Sequence, residues 1–105
     1  MAERRGPLRG AERRRQELLL TLLRTVREEQ GLHQTDIALA LARPQSFVSK
    51  YESGARRLDL LELKDVCDAV GIELAEFAGR FEAAANRLQE AGAKRRDKAP
   101  ARSRK

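Results

Sequence analysis

The sequence predicts an all-α domain of five helices, and three observations predict it. Apolar residues recur at three- and four-residue spacing through most of residues 12–91. β-Branched residues are sparse. The seven Gly and three Pro fall largely outside the segments that carry the periodicity. A chain of 105 residues is one domain, with a core that must be compact.

The first helix is expected from about Glu12 to Gln30. Leu19, Leu23 and Val26 form its apolar stripe, with Leu22 beside it, and Gly31 ends it. The second starts near Gln34, where Asp36 suits the positive end of the helix, and it buries Ile37, small Ala38 and Leu41. The third covers Gln45 to Ser53, with Pro44 at its entry, where a fixed φ helps, and Gly54 at its close. Asp59 followed by Glu62 has the spacing of a reciprocal N-cap. It starts a fourth helix from Leu60 to Val70, whose inner face is Leu63, Val66, Cys67 and Val70, and Gly71 stops it. A fifth runs from about Leu74 to Ala91, with Leu74, Phe77, Phe81, Ala84 and Leu88 on one side. Residues 1–11 and 92–105 are expected to be disordered basic arms flanking the domain.

Charge distribution says more than the net +6. Residues 1–15 carry +4 and residues 93–105 carry +6, while the remainder carries −4. Within that acidic middle the cations are gathered: residues 42–57 hold Arg43, Lys50, Arg56 and Arg57 against Glu52 alone. One positive face between two basic arms suits a polyanion. Few aromatics and no Trp argue against a platform that stacks bases on rings. A single Cys excludes an intramolecular disulfide framework and fits a reducing cytoplasm. No apolar run approaches the roughly 20 residues that span a bilayer.

The third helix has two contrasting sides. With Gln45 at zero and about 100° per residue, Ser46, Ser49, Lys50 and Ser53 fall with it in an arc of roughly 140°. Phe47, Val48 and Tyr51 fill the opposite arc. Amide, hydroxyl and ammonium groups with no acid among them suit the floor of a DNA major groove.

From about Leu19 to Phe81 the chain resembles the lambda-repressor-like (Cro-type, XRE) helix-turn-helix proteins. The resemblance rests on Leu23-Arg24 with Arg27, Gly31-Leu32, Gln34, Ile37-Ala38 and Leu41, and on the run Arg43-Pro44-Gln45-Ser46-Phe47-Val48-Ser49-Lys50-Tyr51-Glu52-Ser53-Gly54. Leu63, Val66 and Val70-Gly71-Ile72 follow. Agreement at fixed spacing over some 60 residues is far more specific than a lone short motif. Ala42 stands where the family often has Gly, Arg43 where an apolar residue is common, and Pro44 and His33 where Ser or Thr caps are usual.

The resemblance implies that Gln45 makes a base contact, with the donor–acceptor pair that suits adenine. Ser46, Ser49 and Lys50 map to neighbouring groove-facing positions, and Lys50 fits either a guanine or a phosphate. Gln34 is implied to touch a phosphate and to brace Gln45. Arg43, Ser53, Arg56 and Arg57 are expected on phosphates, where they position the protein without specifying sequence. Arg27 and Glu52 are implied to form a structural ion pair that ties the recognition helix to the first helix, not to touch DNA.

His33 and Cys67 lack the partners for nucleophilic or metal chemistry, so no enzyme, metal or cofactor is expected. The expected function is sequence-specific double-stranded DNA binding by a small cytoplasmic, nucleoid-associated repressor that occludes a promoter. One short helix reads few base pairs. A homodimer on a two-fold-symmetric operator, with half-sites about 34 Å apart, is the expected remedy. The fifth helix is the candidate interface through Phe81, Ala84, Ala85 and Leu88, because its stripe overruns the domain core. The alternative is an antitoxin-like protein whose segment from Ala83 onward masks a partner protein. A nonspecific nucleoid or RNA binder driven by the two arms is a further rival.

Overall fold

A computed structural model describes residues 10–96, with side chains described to residue 90. It contains five helices among those residues: α1 Gly10–Glu29, α2 Gln34–Leu41, α3 Gln45–Ser53, α4 Leu60–Val70 and α5 Leu74–Arg96. The all-α expectation is met: α3 and α4 start and stop where the sequence places them, and α2 starts at Gln34 as expected. The outer two are longer. α1 begins at Gly10 rather than Glu12, with Glu12 in its first turn where the helix dipole favours an acid. α5 continues past Ala91 to Arg96. Ala and Lys/Arg are strong helix formers, and cations suit a helix C-terminus, so composition alone extends it. Residues 1–9 and 97–105, the greater part of the expected basic arms, lie outside the described residues.

Each connection is fixed by a local device. At Gly31 (φ +73°) the Leu32 N–H reaches back to the Arg27 carbonyl at 3.1 Å, while the Gly31 N–H bonds that of Glu28 at 2.9 Å. The same pair of bonds closes α2, from Arg43 to Ala38 and from Ala42 to Leu39, but here the left-handed residue is Ala42 at φ 56°, ψ 43°. An alanine carries its Cβ into a region that costs an L-residue roughly 1–2 kcal/mol. Pro44 occupies the N-cap of α3 and offers no side-chain bond, whereas its carbonyl accepts from Phe47 N–H at 2.9 Å. α4 opens with the reciprocal cap: Asp59 Oδ1 accepts from Glu62 N–H at 2.8 Å, and Glu62 Oε1 from Asp59 N–H at 3.0 Å.

The helices enclose one core. Ile37 and Ala38 of α2, Phe47, Val48 and Tyr51 of α3, Val66, Cys67 and Val70 of α4, Leu23 and Val26 of α1, Ile72 and Phe77 are all buried. α2 packs chiefly on α3, while α5 packs on α1 and α4. Arg80 pins α5 to α1 with a 3.2 Å contact to Glu29, and it also reaches Glu76 one turn back. Phe81, Ala84, Ala85 and Leu88 are already half-buried in the single chain.

Candidate DNA interface

α3 presents its polar arc outward. Gln45, Ser46, Lys50 and Ser53 are exposed and Ser49 is half-buried. The serine hydroxyls are partly committed: Ser49 Oγ donates to the Ser46 carbonyl at 3.4 Å and Ser53 Oγ to the Lys50 carbonyl at 3.1 Å. Both therefore face outward mainly as acceptors.

Gln45 is not free to rotate its amide. Behind it runs a chain of hydrogen bonds ending in a buried ion pair. Gln45 Nε2 donates to Gln34 Oε1 at 3.2 Å, and Gln34 Nε2 donates to Glu52 Oε1 at 3.0 Å. Glu52 is 5% exposed, and it also accepts from Arg27 Nε at 2.8 Å and Arg27 Nη2 at 3.0 Å. Arg27 Nη1 donates onward to the Leu32 carbonyl at 2.8 Å, past the end of α1. The guanidinium pKa is raised, first by its hydrogen bond to Glu52, so the charge on Arg27 is permanent. Arg24 approaches the same carboxylate at 4.0 Å.

This chain dictates polarity. A carboxylate only accepts, so Gln34 must offer Glu52 its NH2 and turn its carbonyl towards Gln45. Gln45 must then answer with an N–H. Its carbonyl oxygen and second N–H remain for a partner, an acceptor and a donor side by side.

The arginines form a second group around Phe47. The Arg43 and Arg56 guanidinium carbons lie 4.2 Å and 4.8 Å from the centroid of its ring. Glu62 holds Arg56 by two bonds, 3.0 Å to Nη1 and 2.8 Å to Nη2, and lies 3.8 Å from Arg43. The Arg56 hydrogen bond, then the Asp59 backbone, draws the Glu62 carboxyl down to about 2. Arg57 is exposed and makes no ion pair among the described residues.

The geometry thus brings Gln45, Gln34, Glu52 and Arg27 into one chain, and Arg43 and Arg56 into one cluster, while Lys50 and Arg57 stand apart. Sequence reasoning missed two participants. Glu62 reads as a helix cap, and its second role joins residues six apart across a turn, a separation that no periodicity marks. Phe47 reads as core, which it is, but its ring also carries two cations. Cys67 is buried, and burial pushes its thiol up to about 11, far from reactive. The exposed imidazole of His33 makes no cap bond; Asp36 Oδ2 accepts from the His33 backbone N–H at 2.7 Å instead.

Two short helices packed on each other, joined by the three-residue turn Ala42–Pro44, with a polar-faced second helix, are the parts of a helix-turn-helix. A helix-turn-helix family model matches residues 23–77, from the second half of α1 to the first turn of α5. The chain belongs to the XRE-like helix-turn-helix family. An XRE-family like protein from Pseudomonas syringae pv. tomato str. DC3000 is 41% identical and superposes with a TM-score of 0.65, covering 68% of this chain and 87% of that one. No curated protein matches the chain. This member of the XRE-like family is a DNA-binding transcriptional regulator. Among the described residues, no helix is long and apolar enough to cross a membrane.

Proposed function

We propose that this regulator is a repressor that binds a specific double-stranded DNA site as a homodimer and occludes a promoter, its own upstream region included. The observation that carries the reading is the polarity of the Gln45–Gln34–Glu52 chain. It leaves Gln45 an acceptor and a donor side by side, the pairing that matches adenine N6–H and N7 in the major groove. In this reading Ser46, Ser49 and Lys50 share the base edges. Gln34, Arg43, Ser53, Arg56 and Arg57 meet phosphates, so the unit spanning residues 12–91 reads DNA and the two basic arms add sequence-independent attraction.

Dimerisation pairs two such helices on half-sites about one helical turn apart. Phe81, Ala84, Ala85 and Leu88 remain the candidate contacts, since each keeps part of its apolar surface uncovered in the single chain.

Fluorescence anisotropy with upstream DNA against a scrambled duplex, at ~50 and ~200 mM salt, tests the reading by separating phosphate attraction from base readout. Binding to the upstream duplex that persists at the higher salt supports a specific repressor. Equal binding that vanishes with salt refutes it. It would leave either arm-driven association or an antitoxin-like role in which the segment from Ala83 masks a partner protein.

A further inference from the structure

On the apolar side of α3, a cavity of about 200 Å³ opens between α1, the end of α3 and the loop into α4. Leu19, Leu20, Leu23, Leu58 and Leu63 supply most of its wall, with the amide of Gln16 beside them. Three features give it a chemical character beyond a packing defect.

The first is Tyr51, which lines the cavity. Only 1% of this residue is exposed, yet its hydroxyl makes no hydrogen bond among the described residues. Buried phenols ordinarily find a partner, because leaving one unmade forfeits its hydration for nothing. The second is the rim, where Arg56 and Arg57 stand. Arg56 is neutralised by the two bonds it donates to Glu62, whereas Arg57 has no counter-charge among the described residues. The third is the wall itself: five leucines exclude a hydrated inorganic anion, which would surrender its water shell for apolar contact. A wholly apolar molecule would leave both the phenol and Arg57 unanswered.

We propose that this cavity binds a small amphipathic carboxylate, its hydrocarbon body against the leucines and its carboxylate accepting from Tyr51 and facing Arg57. The site takes an effector. Tyr51 belongs to the helix that carries Gln45, and Arg57 is a candidate phosphate contact, so an occupant draws one cation away from DNA. The binding stands on the cavity alone; its effect on DNA rests on the function proposed above.

Calorimetric titration of the full chain with octanoate, and with 1-octanol as the uncharged counterpart, tests the binding. Saturable binding of octanoate is expected, at least tenfold tighter than octanol. Arg57→Gln should weaken octanoate at least fivefold and leave octanol unchanged. Tyr51→Phe, a substitution that keeps the ring in the core, should weaken octanoate severalfold. No saturation at millimolar octanoate overturns the proposal. So does equal affinity for octanoate and octanol, or octanoate binding indifferent to both substitutions.

A DNA titration with saturating octanoate tests the coupling. A weaker complex whose log–log salt slope is shallower by about 0.9 is expected, the signature of one lost phosphate contact. Unchanged DNA affinity in octanoate-loaded protein overturns the effector role. Failure to bind any DNA without octanoate instead rejects the function proposed above, and calorimetry still decides the cavity.

Discussion

Glu52→Ala would strip the acceptor from the centre of the buried chain. Its carboxylate takes two bonds from Arg27 and one from Gln34, and its side chain is 2% exposed. The Arg27 side chain, itself 9% exposed, would keep its charge and lose its counter-ion. Removing one partner of such a pair costs about 3–5 kcal/mol. A small domain holds only about 5–15 kcal/mol in total. At roughly 4–8 °C per kcal/mol, the melting temperature should fall by roughly 12–40 °C. Urea unfolding followed by circular dichroism reads the change directly. The double substitution Arg27→Met with Glu52→Leu removes both charges, and apolar replacements of buried pairs are often neutral or better. It should recover most of the lost stability. Yet it leaves Gln34 without its carboxylate and frees the Gln45 amide to turn, so the double variant should fold and still lose adenine preference. A loss below about 1 kcal/mol in Glu52→Ala would refute the reasoning, as would a double variant no more stable than the single one.

Gln45→Ala should cost about 1–3 kcal/mol on the cognate duplex and almost nothing on a scrambled one, measured by anisotropy at fixed salt. Arg57→Ala should weaken binding to all duplexes alike and reduce the salt slope by about 0.9, and an unchanged slope removes it from the phosphate contacts. Ala42→Gly relieves the left-handed alanine at φ 56° and should stabilise the domain by up to about 1 kcal/mol in urea titration. Glu62, held at about 2, lowers stability when it is protonated. Its contribution is complete above the ordinary carboxyl range near 4.5 and is lost as pH falls through about 2. Glu62→Gln should therefore differ from the parent in urea midpoint at neutral pH, with the gap closing across that acid window.

The elements were legible because their signals are local. Gly31, Gly54 and Gly71 each sit at positive φ where a helix stops, and the Asp59–Glu62 spacing marks the start of α4. The outer limits of α1 and α5 were less so. Arginine-rich segments with scattered Ala carry the propensity of a helix and the composition of a solvated arm, and sequence alone does not rank the two. Family resemblance placed Arg27 beside Glu52 and Gln34 beside Gln45, pairings whose separations of 25 and 11 residues no periodicity supplies. What stayed hidden were groups with two duties. Nothing in the spelling of Phe47 or Glu62 announces that each serves the interior or a helix end and also arranges surface arginines.

The directional chain behind Gln45 has an evolutionary corollary. A side chain at position 45 inherits its options from position 34, and position 34 inherits them from a carboxylate that cannot reverse its sense. Selection for a different operator cannot simply exchange Gln45 for a residue that needs to be approached by a donor from behind. It must alter Gln34 in the same step or pass through a poorly oriented intermediate. Positions 34 and 45 are thereby expected to drift as a linked couple among relatives that keep the Arg27–Glu52 pair, and a combinatorial library meant to retarget the protein should randomise them together.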